Sequence, residues 1–173
     1  MSGPVAAGLK VSYLIGSTAG GTGRHVAMLA AGCAARGAAV TVYGPSSALQ
    51  AMSADGHAWA RTGVRFAAVD IAGRPRPARD AAAVLRLRRL LARDLPDVLH
   101  AHGLRAGALA GLALSGPAGR STALAVTVHN APPPGQPAAT VYAFLELLVA
   151  RRAGAVLTVS GDLAARMRRR GAR

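Results

Sequence analysis

Cysteine, aromatic and acidic residues are scarce in this sequence, and each scarcity excludes a class of protein. A single cysteine, Cys33, excludes a disulfide framework and a cysteine-rich metal cluster, and it favours a reducing cytoplasm. Aromatic residues make up only 3% of the chain, too few to alternate with basic residues and stack bases. No apolar run reaches the ~18 residues of a membrane span, and residues 1–10 do not read as a signal peptide.

Negative charge is the scarcest property of the chain. Seven acidic residues stand against 21 lysines and arginines, which gives a formal net charge of +14. Such an excess is found in proteins that bind nucleic acid or anionic membranes. Here arginine is spread along the chain in an alanine-rich background, so we interpret the charge mainly as compositional bias. This interpretation disfavours a nucleic-acid partner and leaves peripheral contact with the inner face of an anionic membrane as an alternative.

The 51% of hydrophobic residues are organised as short apolar runs that alternate with helical patterns. This alternation predicts an α/β protein with a Rossmann-like, doubly wound, mostly parallel sheet of six buried strands. We expect residues 1–9 to be a flexible N-terminus and residues 10–173 to form one domain. The predicted strands are 11–15, 40–43, 65–69, 97–101, 123–128 and 155–159, and the helices are 24–36, 80–93, 104–114, 140–152 and 161–170. Residues 46–63 are predicted to be a loop with at most one short helix, and residues 73–77 and 132–137 are predicted to be loops.

A glycine cluster, Gly16 to Gly23, follows the first strand and precedes a helix. Glycines at a helix entry let backbone N–H groups approach a phosphate, which the partial positive charge of the helix end favours. A Walker A loop is excluded because Thr22 stands where its lysine belongs. A dinucleotide fingerprint is disfavoured because the third glycine is replaced by Val26 and no acid follows the second strand. A turn without a ligand remains the alternative.

Histidines end two of the predicted strands, at the edge where ligands bind in such sheets. His100 and His102 flank Ala101, and we expect their side chains to point to opposite faces or to diverge into the following loop. We interpret His100 as a core residue with a hydrogen-bond partner rather than a metal ligand. His129 and Asn130 follow the fifth strand, where a neutral imidazole can donate or accept a proton, although a structural role stays open. Ser160 is interpreted as a helix N-cap, because the elbow motif of a serine hydrolase is absent.

Four segments in order resemble the landmarks of family 4 glycosyltransferases of the GT-B fold. They are GGTGRHV from Gly20, PDVLHAHG from Pro96, TVHN from Thr127 and AVLTVSGDLAARMRRRGA from Ala155. The resemblance implies the N-terminal, acceptor-side half of a GT-B fold in a retaining transferase. It also implies a nucleotide-sugar donor and no metal ion or other cofactor.

The resemblance assigns roles residue by residue. Gly20 and Gly21 would present backbone N–H groups to the donor diphosphate, and His129 would contact the donor sugar near the reacting centre. Four other residues would bind the acceptor or line the cleft: Arg24, His25, His102 and Asn130. Gly23 departs from the family pattern, in which a glutamate often precedes the arginine, so acceptor contacts at that position are not expected to follow the family.

A further departure is the C-terminal donor domain, which we expect to be absent from residues 1–173. Because half of the cleft would then be missing, we expect the chain to be inactive alone and to need a separate donor domain. The competing hypotheses are a non-catalytic basic module that docks on anionic lipid or nucleic acid, and a truncated remnant. The sequence does not identify the sugar, the nucleotide or the acceptor.

Overall fold

All six predicted strands form, and they join one parallel sheet. The computed structural model describes residues 8–16, 21–48, 62–72, 74–116, 119, 121–131 and 138–172. The predicted loop at 132–137 and most of the predicted flexible N-terminus lie outside these residues, as do Gly73 and residues 49–61. The strands are Lys10–Ile15 (β1), Ala39–Gly44 (β2), Arg65–Ala68 (β3), Val98–His102 (β4), Ala123–Val128 (β5) and Ala155–Thr158 (β6).

The strand order is β3-β2-β1-β4-β5-β6, and every neighbouring pair is parallel. Strand β1 lies at the centre, where Val11 pairs with Val40 on one side and with Val98 on the other. The chain moves outward from β1 in one direction and then returns to build β4 on its other edge. Such a reversal opens a crevice at the carboxyl ends of the strands. The predicted doubly wound fold is therefore confirmed.

Helices connect the strands and begin at the carboxyl edge of the sheet. They are Thr22–Ala35 (α1), Pro77–Asp94 (α2), Leu104–Ala113 (α3), Ala138–Arg152 (α4) and Gly161–Arg169 (α5). Each lies within three residues of its predicted start. Two hydrophobic clusters, one around Tyr13 and Val26 and the other around Leu99 and Leu109, pack the helices on the sheet.

The prediction that all six strands are buried is wrong for β3 and β6. Every residue of these two strands is at least partly exposed, and Leu157 in β6 is 48% exposed. They are the two edge strands of the sheet, so each has a neighbouring strand on one side only. The pattern of apolar residues predicts that a strand forms, but it does not predict whether the strand lies at the centre or at the edge of the sheet.

Helix α3 packs against the sheet more closely than larger residues would allow. A Cβ added at Gly107 would lie 2.5 Å from Cγ1 of Val126 in β5, and one added at Gly111 would lie 3.1 Å from Cβ of Arg152 in the neighbouring helix α4. The predicted close approach of this small-residue helix is confirmed. It brings the start of α3 against the carboxyl ends of β4 and β5.

The arginines of α2 and α5 behave differently. Arg86, Arg89 and Arg93 of α2 are exposed, as the sequence predicts. In contrast, the 2%-exposed Glu146 of α4 accepts hydrogen bonds from Arg166 of α5 and from Arg170, the C-cap residue of α5, and so anchors the last helix. Within the described residues, no helix has the length and apolarity needed to cross a bilayer.

Candidate active site

A cleft of about 260 Å³ opens at the carboxyl ends of β1, β4 and β5, at the predicted ligand edge. Residues 102–106 and 129–131 form its floor, and Thr22 and Tyr142 contribute from α1 and α4. The close packing of α3 places Gly103 and the first turn of that helix in the lining. The described lining therefore combines residues from the four loops after β1, β3, β4 and β5 with residues from helices α1, α3 and α4.

Gly21 of the glycine cluster is the N-cap residue of α1, and Gly23 lies inside the helix. The φ of Gly21 is 85°, in the left-handed region, which glycine adopts without strain. No side chain caps α1 and its first turn has no acidic residue, while Thr22 lines the cleft. The positive end of α1 thus lies beside the crevice, as the phosphate interpretation requires. Gly20 lies outside the described residues.

His100 and His102 do not point to opposite faces, so that expectation is wrong. Their ring centroids are 4.2 Å apart, because side chains two residues apart in a strand share a face. His100 Nε2 lies 2.7 Å from Thr127 Oγ1, so the expected hydrogen-bond partner is present, but His100 is only half-buried and is not part of the core. The strand period thus places His102 over His100 and directs both toward β5.

His102 and His129 form a hydrogen-bonded pair on the cleft floor. His102 Nδ1 lies 3.2 Å from His129 Nε2, and the two rings stack with centroids 5.5 Å apart. The edge of His25 from α1 approaches the His102 ring at 5.8 Å. Four imidazoles from α1, β4 and the end of β5 therefore lie in one array.

The array is built for neutral imidazoles. Burial and, in decreasing order, the neighbouring His100, His129 and His25 together lower the pKa of His102 to about 3. Burial and then His25 also lower the pKa of His129 below its usual range. At pH 7 one ring nitrogen of each residue in the pair carries a proton and the other accepts, so the pair can position a substrate hydroxyl.

The His102 and His129 rings stack, whereas the His100 ring is tilted against His102 and the His25 ring meets it edge-on. Among the described residues, no group of three or more His, Cys, Asp or Glu side chains could hold a metal ion. The described lining offers hydrogen bonding by neutral imidazoles and backbone N–H groups, together with the side chains of Arg105, Asn130 and Tyr142.

Of the other predicted site residues, some line the cleft and some do not. Asn130 lines the cleft beside His129, whereas Arg24 and His25 are exposed on the first turn of α1, outside the described lining. Ser160 occupies the N-cap position of α5, but its side chain makes no capping bond to the helix backbone.

Sequence reasoning missed Arg105 and Tyr142, which also line the cleft. Arg105 had a signal: it is the only charged residue in α3, whose sequence LRAGALAGLA is otherwise apolar. No feature of the sequence marks Tyr142 as a cleft residue, because its position in the lining depends on how α4 packs against the sheet.

Comparison with known proteins agrees with this arrangement. The family described as glycosyl transferase 4-like domain matches residues 20–173. MurG from Acinetobacter baumannii shares the fold with a TM-score of 0.61, at 14% identity over 87% of this chain and 41% of MurG. UGT89C1 from Arabidopsis thaliana, solved as a complex with UDP, gives a TM-score of 0.49 at 17% identity over 91% of this chain and 47% of that one. No curated protein sequence matches.

The chain spans about two-fifths of the MurG structure that it resembles. Its six-stranded parallel sheet is the Rossmann-like N-terminal half of a GT-B fold. Because the family match covers well over half of the residues, the chain belongs to the glycosyl transferase 4-like domain family.

Proposed function

We propose that this chain is the acceptor-side domain of a retaining glycosyltransferase that takes a sugar from a nucleotide-sugar donor. The observation that carries the proposal is the cleft that joins the open start of α1 to His129. A diphosphate needs N–H donors and positive potential, and a sugar needs hydrogen bonds to its hydroxyl groups. The two requirements meet in this cleft. No metal ion or other cofactor is part of the proposal.

Each predicted site residue has a role in the proposed reaction. The backbone N–H groups at Gly20 and Gly21 bind the donor diphosphate, and His129 contacts the donor sugar beside the reacting carbon. His102 orients His129 through the Nδ1 to Nε2 hydrogen bond. The acceptor is bound by Asn130 and by Arg24 and His25 on the rim. His129 is the catalytic residue of this set.

We propose further that the domain does not transfer sugar alone. Transfer requires two aligned substrates and stabilisation of the departing diphosphate, each of which supplies several kcal/mol. The described cleft carries its polar groups on one sheet edge, so a donor domain on the same or a separate chain completes it. In that assembly, His129→Ala should lower turnover by about two to four orders of magnitude.

The proposed location is the cytoplasm, with peripheral contact between the arginine face of α2 and the inner membrane surface.

The test combines binding and turnover in the purified chain. A panel of nucleoside diphosphate sugars is titrated while the imidazole resonances of the histidines are followed by NMR. We expect one donor class to shift the His129 resonances and to bind at least tenfold more weakly to His129→Ala, with no sugar transfer detected. His100→Gln is the matched control, because it removes an imidazole of the array that hydrogen-bonds Thr127 instead of lining the cleft.

Two outcomes would overturn parts of the proposal. Sugar transfer that depends on His129 in the purified chain would contradict inactivity alone. Failure of every nucleotide sugar to bind would contradict the donor role. If the chain instead bound liposomes or DNA in a salt-sensitive way, equally in Gly21→Val and His129→Ala, the non-catalytic basic module would be favoured.

A further inference from the structure

The cleft contains a second open helix start, at α3. Gly103 is its N-cap residue, so no side chain caps the helix, and its first turn has no acidic residue. The Gly103 N–H is bonded to the Thr127 carbonyl oxygen at 2.8 Å, but the N–H groups of the first turn, residues 104–106, have no partner within the helix. They lie in the lining of the cleft, with the partial positive charge of the helix end.

Arg105 adds a full positive charge at this helix start. Its Nη2 donates to Asp80 Oδ1 at 2.8 Å, and only 13% of its side chain is exposed. Its Nε is buried without a hydrogen-bond partner. Asp80 is itself committed, because its Oδ2 accepts the Arg76 N–H at 3.0 Å. A guanidinium N–H left without an acceptor is costly, and a bound anion would remove that cost.

His102 supplies a third unsatisfied group in the same place. It is 3% exposed, its Nδ1 is paired with His129, and its Nε2 has no partner. Within the part of the chain that the structure describes, two buried side-chain polar atoms lack a partner, His102 Nε2 and Arg105 Nε. Both belong to residues that line this one cleft. Buried polar groups are satisfied in most folded proteins, so the occurrence of both atoms in one cleft lining favours a polar ligand there.

The surroundings of the cleft are also suited to an anion. An adjoining hollow shares Ile71 and Ala72 with the cleft and is lined by Arg79 and Arg86. Asp70 is the one acid among the lining residues described for that hollow. An acceptor that extends from the cleft along α2 would therefore cross a mainly positive surface.

We propose that the acceptor carries a phosphate monoester that binds at the start of α3. The N–H groups of residues 104–106 and the Arg105 guanidinium hold the phosphate oxygens. A phosphate is favoured over a carboxylate because its three terminal oxygens can satisfy more of these donors. This inference deepens the proposed function, on which the identification of the phosphate carrier as the acceptor rests. The phosphate could belong to a water-soluble molecule or to a lipid headgroup, and the test separates the two.

The test uses the whole chain with glycerol 3-phosphate at constant ionic strength, followed by amide NMR. We expect the Leu104, Arg105 and Ala106 amides to shift and Arg105→Gln to weaken binding about tenfold or more, the loss expected for a charged hydrogen bond. Arg88→Gln is the matched control, because Arg88 bonds the Leu112 and Ala113 carbonyl oxygens at the other end of α3. It should bind as the wild type does. Vesicles containing phosphatidic acid are tested in parallel to identify a lipid source.

A second variant protects the test against misfolding of Arg105→Gln. Asp80→Asn keeps the guanidinium and removes the nearest negative charge, so it should bind glycerol 3-phosphate at least as tightly as the wild type. Weaker binding to Asp80→Asn would contradict the proposal. So would binding by neither probe, or shifts confined to residues 21–23 that Arg105→Gln does not change. That last result would contradict the phosphate proposal but not the proposed donor role of α1. Conversely, phosphate binding at α3 without any binding of nucleotide sugars would contradict the donor role but not the phosphate proposal.

Discussion

Helices α1 and α3 begin differently from α2 and α5, although all four begin at the same edge of the sheet. The first two follow a glycine with positive φ and have no acid in the first turn. The other two carry an acid there, Asp80 in α2 and Asp162 in α5. The protein therefore neutralises its own helix ends at α2 and α5 and leaves those beside the cleft open.

This difference favours the starts of α1 and α3 over those of α2 and α5 as binding sites for an external anion. An acid in the first turn stabilises a helix end and repels a ligand of the same charge, whereas an open end is less stable until a ligand binds. At the open ends, the ionisable side chains described in the cleft lining are His102, His129, Arg105 and Tyr142, and the described lining contains no carboxylate. Acid should therefore affect the two kinds of helix start in different pH ranges.

The largest expected effect concerns His102. Its pKa in the folded protein is about 3, below the ordinary 6.5, so the unfolded chain binds the additional proton between these values. The stability that His102 contributes is thus fully present above pH 6.5 and is lost as the pH falls toward 3, by on the order of 4 kcal/mol. His102→Asn should flatten the fall in unfolding free energy across this range, measured by urea denaturation. An unchanged slope would show that His102 is not the group responsible.

The next effect compares glycines at helix starts. Gly103 has φ 94° and ψ 149°, a region that is essentially restricted to glycine, so Gly103→Ala should cost about 2 to 3 kcal/mol. Gly21 has φ 85° and ψ −7°, so Gly21→Ala should lower the free energy of unfolding by about 1 to 2 kcal/mol. An added Cβ meets nothing within 4 Å at either site, so both costs come from the backbone.

Gly161 at the start of α5 is the control for these two variants. It has no positive φ and also has open space around an added Cβ. Gly161→Ala should therefore be neutral or stabilise the protein by up to about 1 kcal/mol, because alanine is the better helix former. Equal losses in the three variants, measured by chemical denaturation, would remove the distinction between open and closed starts.

The smallest effect concerns Asp162. A hydrogen bond from Ser160, followed by backbone N–H groups at the start of α5, lowers the pKa of the exposed Asp162 below 3.8. The contribution of Asp162 is present above about pH 4 and is lost as the pH falls through its lowered pKa. Asp162→Asn should reduce the acid dependence of the melting temperature only below pH 4. A change near pH 6 would place the titrating group elsewhere.

The sequence was sufficient for the sheet, because buried parallel strands are continuous apolar runs between glycine and proline breaks. Ala123–Val128 was predicted to the residue. It was also sufficient for the position of His129, since strand ends mark the ligand edge. The relative placement of side chains was harder. The pairing of His102 with His129 depends on strand register, and the unsatisfied Nε of Arg105 depends on how closely α3 packs on β5.

The order of the strands also has a consequence for the timing of synthesis. β1 can pair with β2 as soon as residue 44 has emerged, but its other partner, β4, ends at His102. At about 5 to 20 residues per second, the open edge of the central strand waits roughly 3 to 12 s for that partner. An unpaired edge of this kind is a site of aggregation, so we expect yield in cells to depend on chaperones during the translation of residues 44–102.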